Sequence, residues 1–152
     1  MITALVLSIS LVFSTFVVHF IVLRWLSQGM AAIAMTPGVR MLVMIFVALS
    51  AHLVEVGLYA SAFAAGDGIL GLGSFGGASV IHPLDYLYFS LVSYTSLGLG
   101  DITPAGHLRY LTGIEALNGL LLIGWSGSFV YIARGRLGQW ESGVEPSTRD
   151  RR

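Results

Sequence analysis

The chain has 152 residues, 55% of them hydrophobic and 11% charged, with a formal net charge of zero and a mean hydropathy of +0.82. A soluble domain carries about 25% charged residues, so this composition points to a one-domain membrane protein, and without a basic excess it offers no nucleic-acid-binding face. Cys is absent, which excludes disulfides, thiolate chemistry and Cys-based metal sites, and Lys is absent too, so Arg is the only strong base.

The first apolar run, Ile2–Leu23, has 22 residues, about 33 Å as a helix, enough to cross a bilayer. No Arg precedes it and no small-x-small cleavage pattern ends it, so it reads as a retained span rather than a signal peptide. The connection Trp25–Val39 carries Thr36-Pro37-Gly38, a turn signal, just before the next span. Residues 1–40 thus form an amino-terminal helix and its connection. The second span is read over residues 41–64. Residues 65–82 follow as an outer loop, rich in glycine from Gly66 to Gly77 and expected to lack strong structure. Its Gly71-Leu72-Gly73 lacks an upstream hydroxyl pair and a downstream acid.

A short aromatic helix is expected over residues 83–94. Pro83 suits its first turn, and Asp85 complements the positive end of its dipole. Its length, about 18 Å, is too short for a hydrocarbon core of about 30 Å and suits a helix that enters halfway and returns as a loop. The loop is Thr95-Ser96-Leu97-Gly98-Leu99-Gly100-Asp101. A third span follows within residues 106–134, and residues 135–152 form a short polar tail.

Arg24, Arg40, Arg134 and Arg136 flank the first connection and the third span, whereas residues 65–107 contain no Arg. The positive-inside rule puts the first connection and the carboxyl terminus in the cytoplasm and the amino terminus outside. Arg109 alone sits on the outer side, where snorkelling or pairing with Asp101 would explain it. A compact chain with short tails suits a prokaryotic inner, or plasma, membrane.

The spans also carry polar residues. His52 and Glu55 share one helix face, as do Glu115 and Asn118. Counted at 1.5 Å per residue from the outer ends, both acids lie about 15 Å deep, so the four residues are expected to form one polar layer. Intramembrane acids merit a functional hypothesis. Interhelical hydrogen-bond glue, or a brace behind the loop at Ser93 or Thr95, is favoured over a proton sensor built on His52 and Glu55. A metal site from those two residues alone has too few ligands. His19 is expected to bond or face another helix. His82 and His107 lie near the outer mouth.

Thr95 to Asp101 resembles the selectivity filter of the pore-loop potassium-channel family, whose pattern is two hydroxyls, an apolar β-branched residue, Gly, an aromatic residue, Gly and Asp. Leu97 and Leu99 depart from that pattern, and Ser96 keeps a hydroxyl. Tyr88 and Phe89 match the aromatics that brace the filter, and Gly119 matches the inner-helix hinge. The similarity covers residues 41–134. It implies an all-α membrane protein with three transmembrane helices, plus a re-entrant pore helix and filter loop between the second and third. It also implies a homotetramer in a lipid bilayer. Carbonyls of Ser96, Leu97, Gly98 and Leu99 would ring a central axis and hold potassium ions, with no other cofactor. Glu55 and Glu115 are then candidate filter supports, and Gly119 and His52 candidate gating residues.

Other readings are weaker. A softer filter would give a weakly selective monovalent cation channel, and a non-conducting membrane subunit is a third class. Gly124-Trp125-Ser126-Gly127 is similar to the Gly-x-Ser-Gly motif of rhomboid intramembrane serine proteases, with His52 or His19 as base, but that family has six core helices and this chain three. No span repeats Arg every third residue, so there is no voltage sensor.

Overall fold

The computed structural model describes residues 1–29 and 35–141, the last six of these by backbone alone. Residues 30–34 of the first connection, 142–152 of the tail and the Arg136 side chain lie outside the described residues.

Among the described residues the fold has four helices and one small sheet: α1 (Ile2–Gly29), α2 (Pro37–Gly68), β1 (Phe75–Gly77), α3 (Pro83–Tyr94), β2 (Ile102–Pro104) and α4 (Leu108–Glu141). Three of the helices, α1, α2 and α4, are long and apolar enough to cross a membrane. The chain is a multi-pass, mainly helical membrane protein. Its long helices keep large apolar side chains on their outer surfaces, including Phe13 on α1, Phe46 on α2 and Leu117 on α4. Such faces suit lipid or neighbouring chains rather than water.

The helices overrun the expected bounds. The second span, read as 41–64, runs from Pro37 to Gly68. The third, read as 106–134, runs from Leu108 to Glu141. The first continues to Gly29, so part of the connection is helical. Apolar runs mark where hydrocarbon ends. Backbone hydrogen bonding continues past that point until a breaker or cap intervenes.

The outer loop corrects a second expectation. Its glycine-rich segment is pinned to the chain after residue 100: Phe75, Gly76 and Gly77 pair antiparallel with Pro104, Thr103 and Ile102. The backbone N–H of Ala78 donates to the Asp101 carbonyl at 2.8 Å, and that of His107 to Leu72 at 2.7 Å. Leu72 is buried in the core. The glycines here permit close approach: a Cβ on Gly77 would strike the Asp101 carbonyl, and one on Gly73 the Ala105 carbonyl.

The upper core gathers Tyr59, Phe63, Phe89, Leu108 and Leu111. Phe63, Phe75 and Phe89 pack edge to face at centroid distances of 4.9–6.0 Å, the arrangement aromatic quadrupoles favour. A smaller cluster of Leu23, Leu26 and Met44 joins α1 to α2 near the other end.

Candidate pore loop and buried polar cluster

α3 begins with its orphan donors satisfied. Asp85 Oδ2 accepts the backbone N–H groups of Ile81 and His82, each at 2.8 Å, and Pro83 has no N–H to lose. Those two bonds hold the Asp85 carboxyl below the usual range.

The other end of α3 sets the Thr95–Asp101 loop. Leu97 N–H donates to the Val92 carbonyl at 3.0 Å and Ser96 N–H to Ser93 at 2.9 Å. These are the two bonds of a Schellman cap, with Ser96 as the left-handed residue at φ 56°. Gly98 (φ 59°) and Gly100 (φ 78°) repeat the left-handed state at every second position, while Leu97 and Leu99 do not share it. Glycine takes that state freely; for Ser96 it costs about 1–2 kcal/mol. All seven residues of the loop are exposed, Leu97 by 63% and Leu99 by 58%. Nothing lies within 4 Å of where a Cβ on Gly98 or Gly100 would sit.

Side chains tie the loop to α3. The Tyr88 hydroxyl donates to Asp101 Oδ2 at 2.6 Å, which holds the Asp101 carboxyl below the usual range. Among the described residues the ion pairs do not include Arg109 with Asp101. Thr95 returns its hydroxyl to the Leu91 carbonyl at 2.8 Å. Phe89 lies in the core.

The polar residues of the spans form separate groups rather than one layer. In the first, the Asn118 amide donates to Thr15 Oγ1 at 2.8 Å and to the Tyr59 hydroxyl at 3.1 Å. In the second, Ser90 Oγ lies 2.9 Å from the Val56 carbonyl and 2.5 Å from Glu115 Oε1. Glu55 centres the third. His19 Nδ1 meets its Oε1 at 2.9 Å; His52 Nδ1 and the Tyr94 hydroxyl meet Oε2 at 3.2 and 2.5 Å. Ser126 Oγ closes this group, 3.1 Å from the Nε2 of each histidine. Both acids thus reach α3, at Ser90 and Tyr94 rather than at Ser93 or Thr95. All four helices meet at the third group, and Tyr94 is the residue just before the loop.

A family model described as an ion channel matches residues 51–133, more than half of the chain. The chain belongs to this ion channel family. No curated protein and no solved structure matched. The match spans most of α2, all of α3 and the loop, and most of α4; α1 lies outside it.

The partners of His19 and Tyr94 were not readable from sequence. His19 was only a lone histidine on an apolar helix, yet it supplies the third donor beside His52 and Glu55, all within 4.8 Å of one another. The two Glu55 oxygens face different rings. Tyr94 looked like one more aromatic in the short helix. Gly119 has a packing role: a Cβ there would run into the Tyr94 carbonyl and lie 3.0 Å from its ring. For Ser126 the third group has the Ser–His–Glu spacings of a hydrolase. The serine is nonetheless only 8% exposed.

Proposed function

We propose that this channel passes potassium ions down their electrochemical gradient, through a filter formed by Thr95, Ser96, Leu97, Gly98, Leu99, Gly100 and Asp101. The observation that carries this reading is the left-handed alternation at Ser96, Gly98 and Gly100, on an exposed loop at the carboxyl end of a helix too short to span. Stacked carbonyls of Ser96 through Leu99 would replace a cation's water shell, and neighbouring ions would repel one another onward. The negative end of α3, aimed inward, would favour cations. One chain supplies one loop, so a closed axis takes several chains, arranged as a homotetramer with cyclic symmetry. The bare surface of the loop and the apolar faces of α4 support that assembly.

In this reading α3 is a re-entrant pore helix. Tyr88 braces the filter from outside and the Glu55 and Glu115 bonds hold α3 from behind. The arginine distribution places the amino terminus outside and the carboxyl terminus in the cytoplasm of a plasma membrane.

The test is reconstitution of the full chain in liposomes with opposed K⁺ and Na⁺ gradients. A reversal potential near the K⁺ equilibrium value is expected. A potential of zero with flux present would leave a weakly selective cation pore, to which the softer Leu97 and Leu99 incline. No flux at all would leave a non-conducting subunit.

A further inference from the structure

The group around Glu55 has a proton count that does not close. Ionised Glu55 accepts from His19 on one oxygen and from His52 and Tyr94 on the other, and His52 Nδ1 also lies 2.9 Å from the Tyr94 oxygen, whose own proton goes to Glu55, so a hydrogen sits on Nδ1 of both rings. A neutral imidazole has one N–H, so both Nε2 atoms are then acceptors. Both lie 3.1 Å from Ser126 Oγ, and a serine has one proton to give. One of the two contacts therefore sets lone pair against lone pair.

One added proton removes the conflict. Carried on either Nε2, it lets Ser126 accept from the protonated ring and donate to the other. It also cancels the charge of Glu55, which is fully buried between membrane helices, where an unpaired charge is costly. A divalent cation would leave the group with a net positive charge instead. The rings are adjacent, with centroids 5.0 Å apart, so one proton serves both.

We propose that His19, His52, Glu55 and Ser126 form a buried binding site for a single proton, shared by the two histidines, and that its occupancy holds Tyr94 and the start of the filter in the conducting form. The second half of this proposal rests on the channel reading; the first does not. Facing the histidines are Glu55 from α2, Tyr94 from α3 and Ser126 from α4, with the Trp125 ring 5.4 Å from that of His19. Glu115 bonds Ser90, and Tyr59 bonds Asn118. Because His19 is the only member on α1, the site ties the helix outside the family match to the residue before the filter.

The experiment is nitrogen-15 NMR of histidine-labelled full-length protein in liposomes, titrated from about pH 5 to about pH 9 around the ordinary histidine range. His19→Gln and His52→Gln variants separate the two rings from His82 and His107. The expected result is one imidazolium shared by the pair that is lost in a single one-proton step. Two rings that stay neutral throughout, or one equivalent of transition metal in the purified protein, would overturn the site. K⁺ flux measured in the same liposomes should fall as the proton leaves, by at most about tenfold per pH unit for one proton. That fall should be flattened in His52→Gln, whose ring is partly exposed. A clear NMR step with flux unchanged across it would overturn the link to the filter. Absence of flux at every pH would sink the channel reading and leave the NMR result standing.

Discussion

Asp101 shows how one hydrogen bond sets a pH limit. The Tyr88 bond lowers its carboxyl pKa, so the brace is intact above the ordinary carboxylate value and is lost only as pH falls through the lowered one. Flux is therefore expected to hold on acidification to about pH 4, as far as Asp101 is concerned, and to fall below that. Tyr88→Phe lacks the brace at every pH, so its flux should already be reduced at neutral pH and its acid limb flattened; an unchanged acid limb in liposome flux would remove Asp101 as its cause. Ser90 presents a second local problem, because its single proton faces both the Val56 carbonyl and Glu115. A Gln at 115 supplies a donor to Ser90. Glu115→Gln should accordingly keep native thermal stability in detergent, while Glu115→Ala, which leaves Ser90 and its neighbours short of a partner, should lose about 1–3 kcal/mol. Equal melting temperatures for the two variants would contradict this.

At the scale of elements, α4 and α3 meet at Gly119 and Tyr94. No Cβ fits there, so Gly119→Ala should force the helices apart at a cost of about 1–3 kcal/mol. Nothing lies within 4 Å of a Cβ on Gly124, and Gly124→Ala is the control expected to melt no lower than wild type. If both variants melt alike, close packing is not the role of Gly119 and a hinge role gains ground. The α3 terminus is equally specific. Ser96 closes the Schellman cap in a left-handed state that glycine adopts without strain. Ser96→Gly should thus preserve or raise stability. Its effect on flux then reports the hydroxyl alone, and a loss of stability would show that the hydroxyl also holds the cap.

For the whole molecule, the predicted outcome is a fourfold assembly. The isolated chain exposes Leu117, Leu120 and Leu121 on α4 by more than half, together with the entire Thr95–Asp101 loop. Native mass spectrometry of the detergent-solubilised protein should give a mass near four times 16.3 kDa. A monomer or dimer that still conducts would overturn the closed-axis arrangement. The small β1–β2 sheet matters at this scale as well. It joins the glycine-rich loop to the chain that follows Thr95–Asp101, so these two segments form one hydrogen-bonded unit rather than a free loop over a rigid core.

Much of this protein was legible along the chain because its physics is local. Three long apolar runs follow from bilayer thickness, Pro83 and Asp85 mark a helix start, and Gly98 and Gly100 mark a backbone that must turn left-handed. The same local signals failed where partners are remote in sequence. The glycine-rich segment near residue 75 looked unstructured because its strand partner lies beyond residue 101. His52, Glu55, Glu115 and Asn118 were placed in one layer from depth alone, and the fold divided them because depth along a helix does not fix which neighbour a side chain faces. His19 and Ser126, 107 residues apart, were linked only through the weak Gly-x-Ser-Gly similarity. The sequence by itself determined the membrane spans and the form of the loop, which nearest-neighbour geometry and hydrophobicity dictate. Tertiary packing alone decided that four helices converge on Glu55, because hydrogen bonds among buried side chains form only where the helices place their donors within reach of one carboxylate.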